Sequence, residues 1–352
     1  MRRQALAGEL RGLGVAKQKP RVVGGVFEVG VGVPDAAEAL AYWECFGYRA
    51  GPRGTLSAVQ AKALYHVDSG LESIRLLHQD ADHGLVRLMV WDEPTGPGLG
   101  MAPLRTPGNR WAVAKTRDVM AVANHARALQ DRGDPIALTE LIFRVTGAGE
   151  PKPFREPFAC KREVMMFLPH SRHVLVQRYE HDLPNFGNYD DDSFFHGSQF
   201  TQVGLCYAGE EGTALDFYDS VLGLKRSGER RVVAEEGGIV ARMLPMEAGE
   251  ELIETDFDDV RWGPAPDEQL SGKLRIFRVP AARPEEDIVA QSGPGNLGFS
   301  LYTLRTHDIE GLHDRVAASG ATGLTEIIPD EFGQPAFSFA ALDKYVWTVL
   351  AA

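Results

Sequence analysis

Residues 27–48 read FEVGVGVPDAAEALAYWECFGY, and residues 201–224 read TQVGLCYAGEEGTALDFYDSVLGL. Aligned on Val29-Gly-Val and Val203-Gly-Leu the two stretches are offset by 174 residues, and by 176 where Gly47 meets Gly223. Two single-residue insertions therefore relate them. Each opens on a strand-like apolar run with a β-branched bias and passes into a helix, which in the first copy puts Ala39, Leu40 and Trp43 on one face. Each closes on a Gly, the residue that most readily ends a helix. A repeat on this scale outranks any single motif, because one copy cannot bury its own hydrophobic face.

A second pair of copies completes the pattern. Pro107-Gly-Asn109 precedes the strand Trp111–Ala114 and a helix through Val122, Ala126 and Leu129 that stops at Gly133. Pro294-Gly-Asn296 precedes Leu297–Leu301 and a helix through Leu312 and Val316 that stops at Gly320. Gly108 to Gly133 and Gly295 to Gly320 are both 25 residues. Strand-like runs follow each helix: Leu71–Leu77 and Leu85–Val90, Val164–Leu168 and His173–Arg178, Leu274–Val279, and Ala336–Ala340 and Tyr345–Leu350. The spacing predicts four βαβββ modules at 22–100, 101–180, 199–285 and 290–352, an α+β fold. Such a module leaves one sheet face bare, so modules must pair around a cleft. Pairing in chain order gives two barrel-like domains, 22–180 and 199–352, with residues 1–21 as an N-terminal extension. The intervening 181–198, within His181–Gln199 and its acidic run Asp190–Asp192, reads as a linker too rich in turn formers and like charges to pack a core. Ala248–Ser271 reads as a lid or surface loop.

Composition narrows the ligand. The 352 residues carry 37 Lys plus Arg against 49 Asp plus Glu, a formal net charge of −12, with 44% hydrophobic residues. That is a globular chain whose field repels nucleic acid and anionic membranes and suits a small neutral or cationic molecule. Three cysteines make no disulfide framework, and no apolar run approaches the ~20 residues needed to span a bilayer, so a cytoplasmic monomer or homodimer is expected. The basic first twenty residues lack an apolar core and a cleavage site, and read as a peripheral helix or tail rather than a targeting peptide. Phosphate-loop, zinc-protease and nucleophile-elbow motifs are absent, and Gly96–Gly100 precedes a turn rather than a helix, so it reads as an inter-module linker.

The run VGLCYAGEEGTALDFYDSVLGLKRSG resembles the opening of a module in the vicinal oxygen chelate superfamily, which includes glyoxalase I, extradiol dioxygenases, and bleomycin and fosfomycin resistance proteins. The resemblance extends over all four modules. It implies two U-shaped clefts, each with a divalent metal held by His, Gln or Glu from the first and last strands of the paired modules, acting as a Lewis acid or activating dioxygen. Carried across, the first-strand ligands fall at Glu28, at Asn109 or Arg110, at Gln202 and at Asn296. The last-strand positions fall near Arg87, Gln177, Arg275 or Phe277, and Thr348. None is a histidine, and only Glu28 is a carboxylate. Amides and a hydroxyl cannot offset the dehydration of a dication, so no cofactor is expected. Were iron, manganese, nickel or zinc to bind, Glu28 or Gln202 would take it.

The resemblance therefore implies an enzyme of lyase, isomerase or oxygenase type acting on a small oxygenated or aromatic metabolite, with Glu28 and Gln202 as catalytic residues. Asn109, Arg110, Asn296, Arg87, Thr348 and His66 would bind substrate. The alternative is a resistance-type protein that sequesters a small molecule without turnover. Glu28 reads as a general base of raised pKa or as the partner of Arg87 or Arg110. His78 with His83, and His170 with His173, read as surface turn residues, and Cys206 as a small buried hydrophobe.

Overall fold

The computed structural model describes residues 22–150, 153–154, 158–180, 186–209, 212–257, 272–283 and 287–352. The expected N-terminal extension lies outside them. Module one contains β1 (Glu28–Gly32), α1 (Ala36–Glu44), β2 (Arg49–Leu56), an added helix α2 (Ala58–Tyr65), β3 (Leu71–Leu77) and β4 (Leu85–Trp91). Module two contains β5 (Arg110–Thr116), α3 (Val119–Asp131), β6 (Ala137–Leu138), β7 (Ile142–Ala148), β8 (Phe158–Leu168) and β9 (Ser171–Tyr179). Module three contains β10 (Gly197–Ala208), α4 (Asp216–Ser220), β11 (Arg226–Val233), α5 (Ile239–Met243), β12 (Glu251–Phe257) and β13 (Lys273–Val279). Module four contains β14 (Gly298–Thr306), α6 (Ile309–Ala317), β15 (Ile328–Pro329), β16 (Pro335–Ala340) and β17 (Val346–Ala351).

The repeat is visible in local chemistry. Asp35, Asp118 and Asp308 cap α1, α3 and α6, their carboxylates accepting from backbone N–H groups of the first turn. Gly47, Gly133, Gly223 and Gly320, which close the four helices, have φ of +94°, +95°, +72° and +86°, a region that costs a side-chain-bearing residue strain.

Two sheets form, but not from the module pairs expected. One has the order β15-β16-β17-β14-β1-β4-β3-β2 and joins module one to module four. The other runs β11-β12-β13-β10-β5-β9-β8-β6 and joins module three to module two, with β7 pairing β8 off this path. The expected pairing of 22–100 with 101–180, and of 199–285 with 290–352, is thus replaced by a nested one. The reason is the edge left open by each module. Its first strand is parallel to its own last strand on one side, as β1 is to β4, and exposes its other edge. Any other first strand can cover that edge antiparallel. Here β1 takes β14 and β5 takes β10.

The stretch expected to be a linker supports this route by packing. The backbone N–H of Phe195 donates to the Cys45 carbonyl at 2.9 Å, Arg49 pairs with the buried Asp190 at 2.9 Å, and Phe186 and Phe195 are buried. The Ala248–Ser271 segment is likewise not all loop, since residues 251–257 form β12, while 258–271 lie outside the described residues. Among the described residues no helix is long and apolar enough to cross a membrane.

The sheets dock through one large core that includes Trp43, Phe200, Phe299, Tyr302 and Trp347. Tyr302 of the first sheet donates to backbone carbonyls of Trp111 and Gly204 in the second at 2.9 and 2.8 Å. Nearby, Tyr218 donates to Asp343 at 2.8 Å, and burial pushes the Asp343 carboxyl up from 3.8 to about 6 despite that bond. A carboxyl with a raised folded pKa favours folding when protonated, so this group's contribution falls as pH rises from about 4 to about 6, by roughly 3 kcal/mol. Urea denaturation of Asp343→Asn across that window is expected to show a flatter decline than the parent; an unchanged slope would place the titration elsewhere.

Candidate functional site

Each sheet curls around a concavity, and the two differ in what fills them. In the first, the odd-numbered residues of β3 and β4 share a face with Glu28, which lies opposite Thr303 of β14, itself beside Thr348 of β17. Arg87 donates to one Glu28 oxygen through Nη2 at 2.6 Å and Nε at 3.0 Å, Arg75 donates to the other, and Thr303 adds a bond at 3.2 Å. Thr348 is held by Ser338 at 2.7 Å.

The mouth of this concavity is closed by the protein itself. The β15–β16 turn brings Glu331 to within 3.1 Å of Arg87 Nη1 and Asp330 to within 3.5 Å of Nη2. Tyr65, at the end of α2, and Ser73 donate to the two oxygens of Glu331 at 2.9 and 2.7 Å. The Phe332 ring lies under both guanidiniums, 4.2 Å from that of Arg75 and 5.1 Å from that of Arg87. Glu28 and Arg87 are both 0% exposed. Burial would raise the Glu28 carboxyl, but Arg87 and Arg75 outweigh it and hold it below 4.5. Glu28 is therefore an ion-pair partner rather than a base of raised pKa, and its partners are Arg87 and Arg75, not Arg110.

The other sequence-derived positions separate. Asn109 and Asn296 sit in the turns before β5 and β14, their amides donating to the Pro103 carbonyl at 2.7 Å and the Gly293 carbonyl at 3.1 Å. Strand register puts Val113 opposite Gln202, and Thr303 opposite Glu28, where these asparagines were expected. Arg110 runs between the sheets, its guanidinium 4.8 Å from the Tyr345 ring. Gln177 binds the start of α3, accepting from Val119 N–H at 3.3 Å. His66 is exposed and meets the Gly323 carbonyl at 2.8 Å, while its neighbour Tyr65 enters the concavity. His78 and His173 are buried, not surface residues; His173 stacks on Trp43 with ring centroids 4.7 Å apart.

The second concavity holds Gln202, Gly204 and Cys206 of β10 beside Trp111 and Val113 of β5. Its deep end is filled by Leu104, Met165, Leu244, Met246 and Cys206. There Trp111 stacks on Phe277 at 5.0 Å, and it lies so close over Gly204 that a Cβ at Gly204 would fall 2.0 Å from the indole. At the other end Gln202, Val113, Lys161, Asp256 and Arg275 are all partly exposed. Lys161 pairs with Glu163 at 2.7 Å, and Arg275 with Asp256 at 2.6 Å. Burial lowers the Lys161 ammonium in spite of Glu163. It also pulls Arg275 down, but Asp256, Glu254 and Glu163 outweigh it. In a flat sheet β8 and β13 would lie about 19 Å apart, yet Glu163 on one acts on Arg275 on the other, so the sheet's two arms face each other.

Two donors line this space without partners: Trp111 Nε1 and Gln202 Nε2 are buried and make no hydrogen bond. A buried donor left unpaired costs about 1–3 kcal/mol, which a ligand oxygen would recover. Trp91 Nε1 in the first concavity also has no partner, but it is sealed beside Tyr65. Sequence reading missed Arg75, Glu331, Lys161 and Glu163. The signal available was period-2 alternation, which puts Ser73 with Arg75, and Lys161 with Glu163, on one strand face.

Removing Arg87 would take the shared cation from three buried carboxylates, so Arg87→Met is expected to destabilise by about 3–5 kcal/mol in urea denaturation, with Glu28→Met on that background restoring part of it. Since Glu28 has a lowered folded pKa, its contribution is full above about pH 4.5 and lost as pH falls through the folded value. Glu28→Gln should therefore flatten the acid limb, and an unchanged acid limb would refute the pairing.

No protein-family model and no curated protein sequence matches the chain. Among solved structures, a dioxygenase candidate from Bacillus subtilis superposes with a TM-score of 0.52 at 13% identity, covering 94% of this chain and 86% of that one. Glyoxalase I from Zea mays gives 0.51 at 14% identity, covering 93% and 92%. Identities this low speak for the fold alone, and the fold they share is the one built above from four βαβββ modules in two curled sheets: the chain has the vicinal oxygen chelate fold.

Proposed function

We propose that the protein binds a small oxygenated aromatic metabolite in its second concavity and acts on it by proton transfer without a divalent metal. The observation that carries this reading is the pair of unpartnered donors on one face of the concavity, Gln202 Nε2 toward its half-open end and Trp111 Nε1 where the aromatic floor begins. Donors fixed in a water-poor site stabilise an oxygen that gains negative charge, as an enolate or phenolate does. Glu163 is a carboxylate on the facing arm, bonded to Lys161, whose ammonium burial lowers. A proton leaving a carbon next to the bound carbonyl would pass to Glu163, and the electron pair would move onto the oxygen held by the two donors.

Donor chemistry supports the metal-independent part. In the first concavity both Glu28 oxygens are taken by guanidinium groups, and a dication there would be repelled by Arg75 and Arg87. In the second, Gln202 faces Val113, and the nearby carboxylates Glu163 and Asp256 are taken by Lys161 and Arg275. Among the described residues no group of three or more His, Cys, Asp or Glu could hold a metal ion. One observation favours binding without turnover: Lys161 and Arg275 are both already paired within the protein.

Calorimetric titration with catechol, salicylate and toluene is expected to show binding of the two oxygenated rings and none of toluene. Trp111→Phe and Gln202→Leu should each weaken salicylate about 5- to 30-fold; unchanged affinity in both would discard the site. Deuterium exchange of phenylpyruvate in heavy water, followed by proton NMR, should be accelerated by the parent and slowed at least tenfold in Glu163→Gln. Binding without any accelerated exchange would leave sequestration as the function.

A further inference from the structure

One cavity belongs to neither concavity. It lies on the outer seam where module one meets module two, between α1, the end of α3 and the β8–β9 turn, with a volume of about 500 Å³. That is the size of a small-molecule pocket. Its walls are apolar, from Val31 and Trp43 on one side and Leu129, Ile136 and Leu168 on the other. One polar atom on it, His170 Nδ1, is buried and makes no hydrogen bond, while the Tyr42 hydroxyl is engaged by Ser171 of the same lining.

The charges at its mouth give the ligand its sign. Arg132 is paired with Asp134 at 3.4 Å, so those two cancel. Asp35, whose carboxylate caps α1, and Glu38 in the first turn then leave two negative charges beside an apolar hollow. A ligand that matches has an apolar or aromatic body and one protonated nitrogen, which would sit against the carboxylates beside the Tyr42 ring. We propose that this seam cavity is a second ligand site, selective for a small hydrophobic amine. It is independent of the second concavity and shares no lining residue with it.

Calorimetry with phenethylamine tests this, with 3-phenylpropionate as the anionic counterpart. Phenethylamine is expected to bind with a dissociation constant below about 1 mM and the anion at least tenfold more weakly. Glu38→Gln should weaken the amine about threefold or more, and Ala39→Trp, which fills the cavity from the partly exposed face of α1, should abolish binding. Trp111→Phe should leave it unchanged. Equal affinity for amine and anion, or full binding by Ala39→Trp, would overturn the proposal. Loss of amine binding in Trp111→Phe would do so as well, by placing the amine in the second concavity.

Discussion

A guanidinium with 0% exposure must be paired, and the pairing of Arg87 decides what the first concavity can be. Its partners come from three places in the chain: Glu28 on β1, Tyr65 at the end of α2, and Asp330 and Glu331 from module four. The cluster joins the two modules of the first sheet across the concavity they share. It also consumes the polar groups that an open cleft would offer to a ligand. Breaking one member leaves buried charge on the others less fully compensated, so the cluster is held as a unit.

The closed first concavity leaves the second to carry function, and the asymmetry arises in module-specific additions. Module one inserts α2, whose Tyr65 reaches the cluster, and module four supplies the acidic turn with Phe332. In the second sheet the comparable volume is filled only at its deep end, by Leu244 and Met246 after α5 together with Leu104 and Met165. Sheet geometry is common to both halves, and side chains on inserted segments decide which half admits a ligand.

The modules were legible in the sequence because helix-closing glycines and strand periodicity are local signals. Gly133 and Gly320 both take the left-handed backbone that their equal spacing from Gly108 and Gly295 foretells. Which module pairs with which was not legible, because four similar first strands each offer the same open edge and chain order does not choose between them. The site was legible in part. Glu28 and Gln202 do line the two concavities, but a slip in strand register moved Asn109 and Asn296 into turns and put Val113 and Thr303 in their places. Arg75, Glu331 and Lys161 could not be placed until strands far apart in sequence were paired. The buried His173 shows the same limit, since its aromatic surroundings come from modules one, three and four.

Trp91 and Trp111 stand one in each concavity among the five tryptophans of the chain, which makes fluorine NMR of the 5-fluorotryptophan-labelled protein the most direct measurement. On titration with salicylate the Trp111 resonance is expected to shift and the Trp91 resonance to stay in place. Movement of Trp91 with Trp111 unmoved would mean that the first concavity opens to ligand, and would contradict the division of labour between the two sheets.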